Sequence, residues 1–414
     1  MKETLQLNLT NPAKLESLYR SDKSGFRKAF FEVFPAKPAD PIAICWYERL
    51  QEESSSISWG RGADLLVILV ATAIATLIAK IPDFFSLKPE EFFPRNISFI
   101  ILPVLAGYFM WLHRLNKQII FGVLFLFAAC AAYINWLPGN FDNDTFILSC
   151  IHLPLVGWSL LGFVYGKGQL HDWAERPAFL RFNGDLIVMG SLIVSGVMVL
   201  SGITMGLFSL IGLSIEDFYT RWILIAELSA SPLIATYVIR YNPQLVNKVS
   251  PVIARIFSPL VLVTLVAYLI GILIAGKDPY TDRDFLMLFN ALLIGVLAII
   301  FFSVVEMKRT AENKLAHWII FLLALVTIVV NGVALSAIVY RIGSWGFTPN
   351  RLAVLGGNLL FFINLILLAR QLFRQLRGQV ASTSVEEVIA RYLPVYFIWA
   401  VLVTFLFPLI FRFQ

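Results

Sequence analysis

The residues able to do chemistry are few, and each lies in apolar company. Glu227 sits six residues into an apolar stretch centred on 221–240, with Ser229, Ser231 and Pro232 after it. His152 sits seven residues into the stretch 145–165. Asn290, Asn331 and Asn358 interrupt the stretches 285–305, 316–340 and 351–370. A charge at membrane depth costs ~2.5–3.5 kcal/mol on insertion scales, so such a residue invites a functional reading. At 1.5 Å per residue, Glu227 lies ~9 Å below the outer end of its stretch. His152, Asn290 and Asn358 share that outer half, and Asn331 is nearer the midplane. These residues are expected to line one outer cavity. Glu227 and His152 within it are expected to act as a proton-sensitive pair. The alternative is a neutral Glu227 satisfied by a neighbouring serine or asparagine. His152, followed by Leu153-Pro154, would then bond a carbonyl at the proline kink.

A second chemical candidate lies between two apolar stretches, in Arg341-x-x-x-Trp345-Gly346-Phe347-Thr348-x-x-Arg351. Thr348 is a suitable N-cap and Pro349 a suitable first helical residue. Arg351 then falls in the first turn, where a cation opposes the helix dipole. An anion across the helix amides would relieve that conflict, with Arg341 as a second receptor. The expected ligand is a small anionic solute or a lipid headgroup. The alternative is two arginines snorkelling to outer phosphates.

Other reactive chemistry is sparse. Asp142-Asn143-Asp144 is a D-x-D, too short to specify a transferase. No H-E-x-x-H, Walker loop or G-x-S-x-G is present. Cys45, Cys130 and Cys150 have no ligand spacing, and His113, His152, His171 and His317 are scattered, so no metal centre and no cofactor are expected.

These residues must be positioned by membrane helices. Of 414 residues, 58% are hydrophobic and 14% charged, against ~45–50% and ~25% in soluble domains. That apolar excess cannot be buried in one water-soluble core, which excludes soluble enzyme folds and nucleic-acid modules. A span needs ~20 mostly apolar residues. Eleven stretches qualify, centred on 63–80, 96–112, 118–137, 145–165, 185–212, 221–240, 252–275, 285–305, 316–340, 351–370 and 391–411. Twenty-four of the 33 Lys and Arg then fall on the side of the N-terminus. That bias places the N-terminus in the cytoplasm and the C-terminus outside, and it accounts for the net charge of +6 without nucleic acid. The first sixty residues hold no short apolar run with a cleavage site, so the first span is the expected targeting element. Ser-Pro-Leu recurs at 231–233 and 258–260, where the alternatives are a helix discontinuity of the transporter kind and a kink within an ordinary packed membrane helix. Gly190, Gly196, Gly202 and Gly206 suggest close helix packing, with a homo-oligomer seam as the alternative.

Residues 1–60 are expected to form a small helical cytoplasmic head before the transmembrane domain 61–414. Asn11-Pro12, Ser21-Asp22 and Asp40-Pro41 open three helices. Leu15, Leu18 and Tyr19, then Phe26, Phe30 and Phe34, then Trp46 and Leu50, form their apolar faces. The head is expected to be a structural cap or a dock for a cytoplasmic protein.

The head pattern N-P-x-x-L-E-x-L-Y-R at 11–20 and the R-x-x-x-W-G-F-T-x-x-R segment at 341–351 resemble the bacterial polytopic membrane family catalogued as domain of unknown function 4153. Trp345 stands where that signature usually has tyrosine. The resemblance implies a multi-pass protein of the bacterial cytoplasmic membrane and implies no activity. The sequence thus predicts an all-α polytopic membrane protein. A small-solute or ion transporter, proton-coupled through Glu227, is the expected function. The alternatives are a scaffold or sensor acting through the head, and a membrane transferase.

Overall fold

The structure, a computed structural model, describes residues 2–9, 11–34, 38–52, 62–169, 173–275, 280, 283–306 and 314–413. Every regular element among them is helical. The chain divides into two compact units, Met1–Trp59 and Gly60–Gln414.

The first unit holds α1 (Lys2–Gln6), α2 (Pro12–Ser21), α3 (Lys23–Val33) and α4 (Pro41–Glu52). Side-chain caps start the last three. Asn11 accepts from Lys14 N at 3.1 Å, Asp22 from Gly25 N at 2.9 Å, and Asp40 from Ile42 N at 2.9 Å. A Cβ at Gly25 would lie 2.1 Å from the Asp22 carboxylate, so the cap itself demands glycine there. Leu5, Leu15, Tyr19, Phe26, Phe30, Trp46 and Leu50 are buried together. The Arg49 guanidinium lies 4.8 Å over Tyr19 and 4.7 Å over Trp46, and donates to Glu16 at 2.9 Å. The short α1, which brings Leu5 into this core, is an addition to the three expected helices.

Among the described residues, the second unit contains 11 helices long and apolar enough to cross a bilayer. They are α5 (Gly62–Ala79), α7 (Pro89–His113), α8 (Lys117–Trp136), α9 (Asp144–Tyr165), α10 (Glu175–Leu210), α12 (Ile225–Tyr241), α13 (Pro243–Ala275), α14 (Arg283–Glu306), α15 (Lys314–Trp345), α16 (Pro349–Leu376) and α17 (Thr383–Val401), with α12 and α17 extended by π-helical turns. Short helices α6 (Ile81–Phe85), α11 (Glu216–Phe218) and α18 (Phe407–Ile410) complete the chain. Contacts between helix ends show alternating direction. Tyr241 at the end of α12 hydrogen-bonds Asp64 at the start of α5. Arg95 near the start of α7 donates to Ile134 O at the end of α8, at 2.7 Å. The end at which α5 begins is termed the basic end below.

Two large apolar cores, and a small one of Leu148, Ala353, Val403 and Phe407, fill the unit. One large core joins α5, α7, α8, α9 and α12; the other joins α13, α14, α15, α16 and the start of α17. Helix α10 begins ten residues before the expected span, and its first three turns touch both, through Phe179 and Phe182 on one side and Leu180 on the other. Leu192, Val199 and Leu207 farther along it are exposed, as lipid-facing side chains of a membrane helix are.

One expectation is corrected and one open alternative is decided. A Cβ added at Gly190, Gly196, Gly202 or Gly206 would meet no atom of another helix within 4 Å, because this half of α10 runs along the periphery of the bundle. The prolines of the Ser-Pro-Leu pairs lie inside continuous helices, Pro232 in α12 and Pro259 in α13. Irregular turns occur instead at Tyr219–Leu224 and Leu402–Leu406, both π-helical. A π turn takes a carbonyl out of its usual i→i+4 bond and offers it sideways. Thr404 O accepts from Tyr133 on α8 at 2.8 Å and from Ser149 on α9 at 2.9 Å.

The end opposite the basic one is locked at α6. Lys80 is 2% exposed. It pairs with Asp83, donates to Arg221 O at 2.5 Å and lies 4.1 Å over the Trp222 ring. Arg221 Nε donates to Asp83 at 2.6 Å. Lys80 first, then Arg221, hold the Asp83 carboxyl below its ordinary value of 3.8. Asp83→Asn is expected to cost about 3 kcal/mol at neutral pH, because a buried ammonium loses its carboxylate. A carboxyl that titrates lower when folded contributes fully above its unfolded value and loses that contribution as pH falls through the folded one. The melting difference between wild type and variant is therefore expected to stay level above pH 5 and narrow below 3.8. A difference that closed between pH 6 and 5 would assign the effect to another group.

Candidate functional site

The polar residues singled out from sequence separate into three groups. Glu227 stands one turn after the π turn Tyr219–Leu224, and that turn shapes its surroundings. Its carboxylate accepts from Ser201 on α10 at 3.2 Å and from Tyr219 at 3.4 Å. His152 is turned to its own helix, with Nδ1 2.9 Å from Leu148 O. No hydrogen bond or ion pair joins Glu227 to His152 among the described residues, which corrects the expected pair. Nor is the His152 partner the carbonyl that Pro154 frees, which belongs to Cys150. Its ring follows the carbonyl one turn back because α9 stays helical through the proline.

The three asparagines do meet, at the junction of α14, α15 and α16. Asn358 Nδ2 donates to Asn290 Oδ1 at 2.7 Å, and Asn331 Nδ2 donates to Asn358 O at 3.1 Å. Asn331 is fully buried, and its Oδ1 has no hydrogen-bond partner among the described residues. Asn364 repeats the pattern two turns on: Nδ2 donates to Tyr396 at 2.8 Å while Oδ1 is buried and unpartnered. Asn364 was not singled out from sequence, although it lies on α16 six residues after Asn358.

Arg341 and Arg351 form the third group. Both guanidinium groups lie over Trp345, at 5.3 and 5.9 Å from its ring. Thr348 caps α16 through Arg351 N at 3.3 Å, and Gly346 has φ of +78°, a turn conformation that favours glycine. Arg351 Nη1 donates to Trp345 O at 2.8 Å and to Gly346 O at 2.7 Å. The dipole conflict at the start of α16 is thus relieved from the end of α15, whose terminal carbonyls carry partial negative charge. This replaces the expected anion at that nitrogen with backbone carbonyls.

A fourth group, absent from the sequence reading, lies toward the basic end. Arg181 on α10 donates to Val305 O at 2.7 Å; its Nε is 3.4 Å from Glu306 and its Nη2 4.0 Å from Glu386. Glu306 is 2% exposed and Glu386 4%. One turn along α10, Asp185 accepts from Ser250 on α13 at 2.6 Å. Ser258 and Ser303 share a hydrogen bond of 2.7 Å between α13 and α14. Beside them a cavity of about 380 Å³ opens between α13, α14 and α15, lined by Arg255, Ser258, Ser303, Glu306, Ile319 and Ile320 among others. Arg255 is exposed. The sequence signal for this group was modest: Arg181 and Asp185, four apart, precede an apolar run, and Glu306 ends one.

Among the described residues no set of three or more His, Cys, Asp or Glu is placed to hold a metal ion. Fold and polar interior together define an all-helical, multi-pass integral membrane protein. Compared with known proteins, the chain matches no family model, no curated protein and no solved structure.

Asn358 is expected to hold α14 and α16 together. Asn358→Leu and Asn290→Leu should each lower stability by about 1–3 kcal/mol, the cost of an orphaned buried amide. The double variant should lose less than the sum, with a coupling of about 0.5–3 kcal/mol in detergent unfolding. Strict additivity would show that the bond contributes nothing.

Proposed function

We propose that this protein is a permease for a small solute, with its route between α13, α14, α15 and α16. One observation carries the reading. The cavity at the basic end reaches Ile320 on α15, and the buried face of that helix continues through Thr327 to Asn331. Ile320, Thr327 and Asn331 fall at helical spacing on one face. Thr327 is fully buried, and Asn331 ends the series with a carbonyl oxygen that lacks a partner. An unpartnered polar atom at membrane depth costs free energy unless water or a passing solute satisfies it.

On this reading the cavity is the inward-facing mouth, since basic residues mark the cytoplasmic side of a membrane protein. The N-terminal unit then lies in the cytoplasm, and the bacterial cytoplasmic membrane and the family of domain of unknown function 4153 belong to the same proposal. Glu227, hydrogen-bonded to Ser201 and Tyr219, is a helix-packing group. It lies away from the proposed route, on α12. A second reading, a scaffold or sensor docking partners through the head, is favoured by the head having its own apolar core.

Cysteine access tests the choice. In a background with Cys45, Cys130 and Cys150 replaced, Ser303→Cys is expected to react with a membrane-impermeant thiol reagent from the cytoplasmic face. Thr327→Cys, two turns deeper along α15 than Ile320, is expected to react more slowly. Folded protein in which Thr327→Cys is inert from both faces would refute the permease and favour the scaffold.

A further inference from the structure

The cavity at the basic end carries both signs of charge on an otherwise apolar wall. Glu306 supplies a buried carboxylate from the last turn of α14, and Arg255 a guanidinium from α13. Pro251, Ala254, Ile319 and Ile320 supply apolar surface. Arg255 makes no hydrogen bond or ion pair with any described residue, in contrast to Arg181, whose guanidinium is divided between Glu306 and Glu386. The volume of about 380 Å³ is at the small end of the ~300–1,000 Å³ range of ligand sites.

We propose that this cavity binds a small amphipathic zwitterion, its ammonium against Glu306, its anionic group against Arg255 and its apolar part against α15. The inference rests on the permease reading only in naming the solute class of the same cavity. A simple cation would leave the Arg255 charge in the lining unmatched, and a simple anion that of Glu306. A hydrated inorganic ion would gain nothing from the apolar wall. A zwitterion with a branched aliphatic portion satisfies all three surfaces. The Ser258 and Ser303 hydroxyls, which already pair with each other, lie at the inner limit of the cavity and can accept or donate by rotation. The same charge pair occurs in a free amino acid and in a phosphatidylethanolamine headgroup, so both sources present the chemistry the site requires.

The test is equilibrium binding to the full-length protein in phosphatidylglycerol nanodiscs, which hold no zwitterionic lipid. Radiolabelled leucine is the probe. Isopentylamine (ammonium only), 4-methylpentanoate (carboxylate only) and phosphoethanolamine are the competitors. Leucine is expected to bind, with each single-charge analogue competing at least about tenfold more weakly. Glu306→Gln is expected to weaken leucine by about tenfold and to erase its advantage over 4-methylpentanoate. Arg255→Gln should do the same relative to isopentylamine. Arg255 is exposed and free of partners among the described residues, so that variant keeps the test intact if Glu306→Gln does not fold.

Should phosphoethanolamine bind while leucine does not, the zwitterion site stands and its occupant is a lipid headgroup. Equal binding of zwitterion and single-charge analogues, or no binding of either zwitterion, overturns the inference. The permease reading fails separately: zwitterion binding alongside an inert Thr327→Cys would sustain this site and remove the route. A reactive Thr327→Cys without zwitterion preference would do the reverse.

Discussion

Arg181 is the interaction on which the arrangement of the bundle most depends. Its guanidinium reaches Val305 O and Glu306 on α14 and Glu386 on α17, while its neighbours Leu180 and Phe182 enter different apolar cores. In lipid the hydrophobic effect does not bring helices together, since the tails are as apolar as the side chains. Packing and hydrogen bonds must therefore set which helices meet. A buried carboxylate on each of two helices, matched to one guanidinium on a third, fixes their positions more sharply than leucine contacts do. Breaking such a set leaves charge buried without compensation, which is far costlier than never having built it.

The same demand explains where polar groups occur elsewhere. Several lie at a junction of helices or at an irregular turn. Lys80 and Asp83 join α5 and α6 to the π turn before α12. The π turn at Leu402–Leu406 gives Thr404 O to hydroxyls of α8 and α9. The asparagine group joins α14, α15 and α16. Most of these contacts are closed. Among the described residues, buried polar atoms without a hydrogen-bond partner include the Asn331 and Asn364 oxygens, Arg181 Nε and Trp399 Nε1, and a cavity opens beside Glu306. Function is most economically located where a membrane protein leaves polar capacity unused.

The pair Arg341 and Arg351 shows how neighbouring structure redirects a local electrostatic argument. A cation in the first turn of a helix is unfavourable considered alone. Here the preceding helix ends beside it, and its terminal carbonyls take the charge. In this short connection one helix end serves the next, so an anion is not needed to resolve the conflict.

The apolar stretches were long enough, and the caps clear enough, for the sequence alone to determine the all-helical membrane class, the spans and the three capped head helices. Asn11, Asp22, Asp40 and Thr348 act within a few residues of themselves, and the length of an apolar run is a local property. The grouping of Asn290, Asn331 and Asn358 was legible in part, through their positions along the spans, although depth alone does not decide which groups meet. What only the tertiary structure decided is which helices are neighbours. Glu227 and His152 share a depth but belong to helices whose polar faces turn elsewhere. Arg181, Glu306 and Glu386 lie at the margins of apolar stretches, and sequence marks a span by its apolar centre and says little about how far its charged end continues as helix. Depth is written along the chain; the neighbour and the rotation of each helix depend on packing across hundreds of residues.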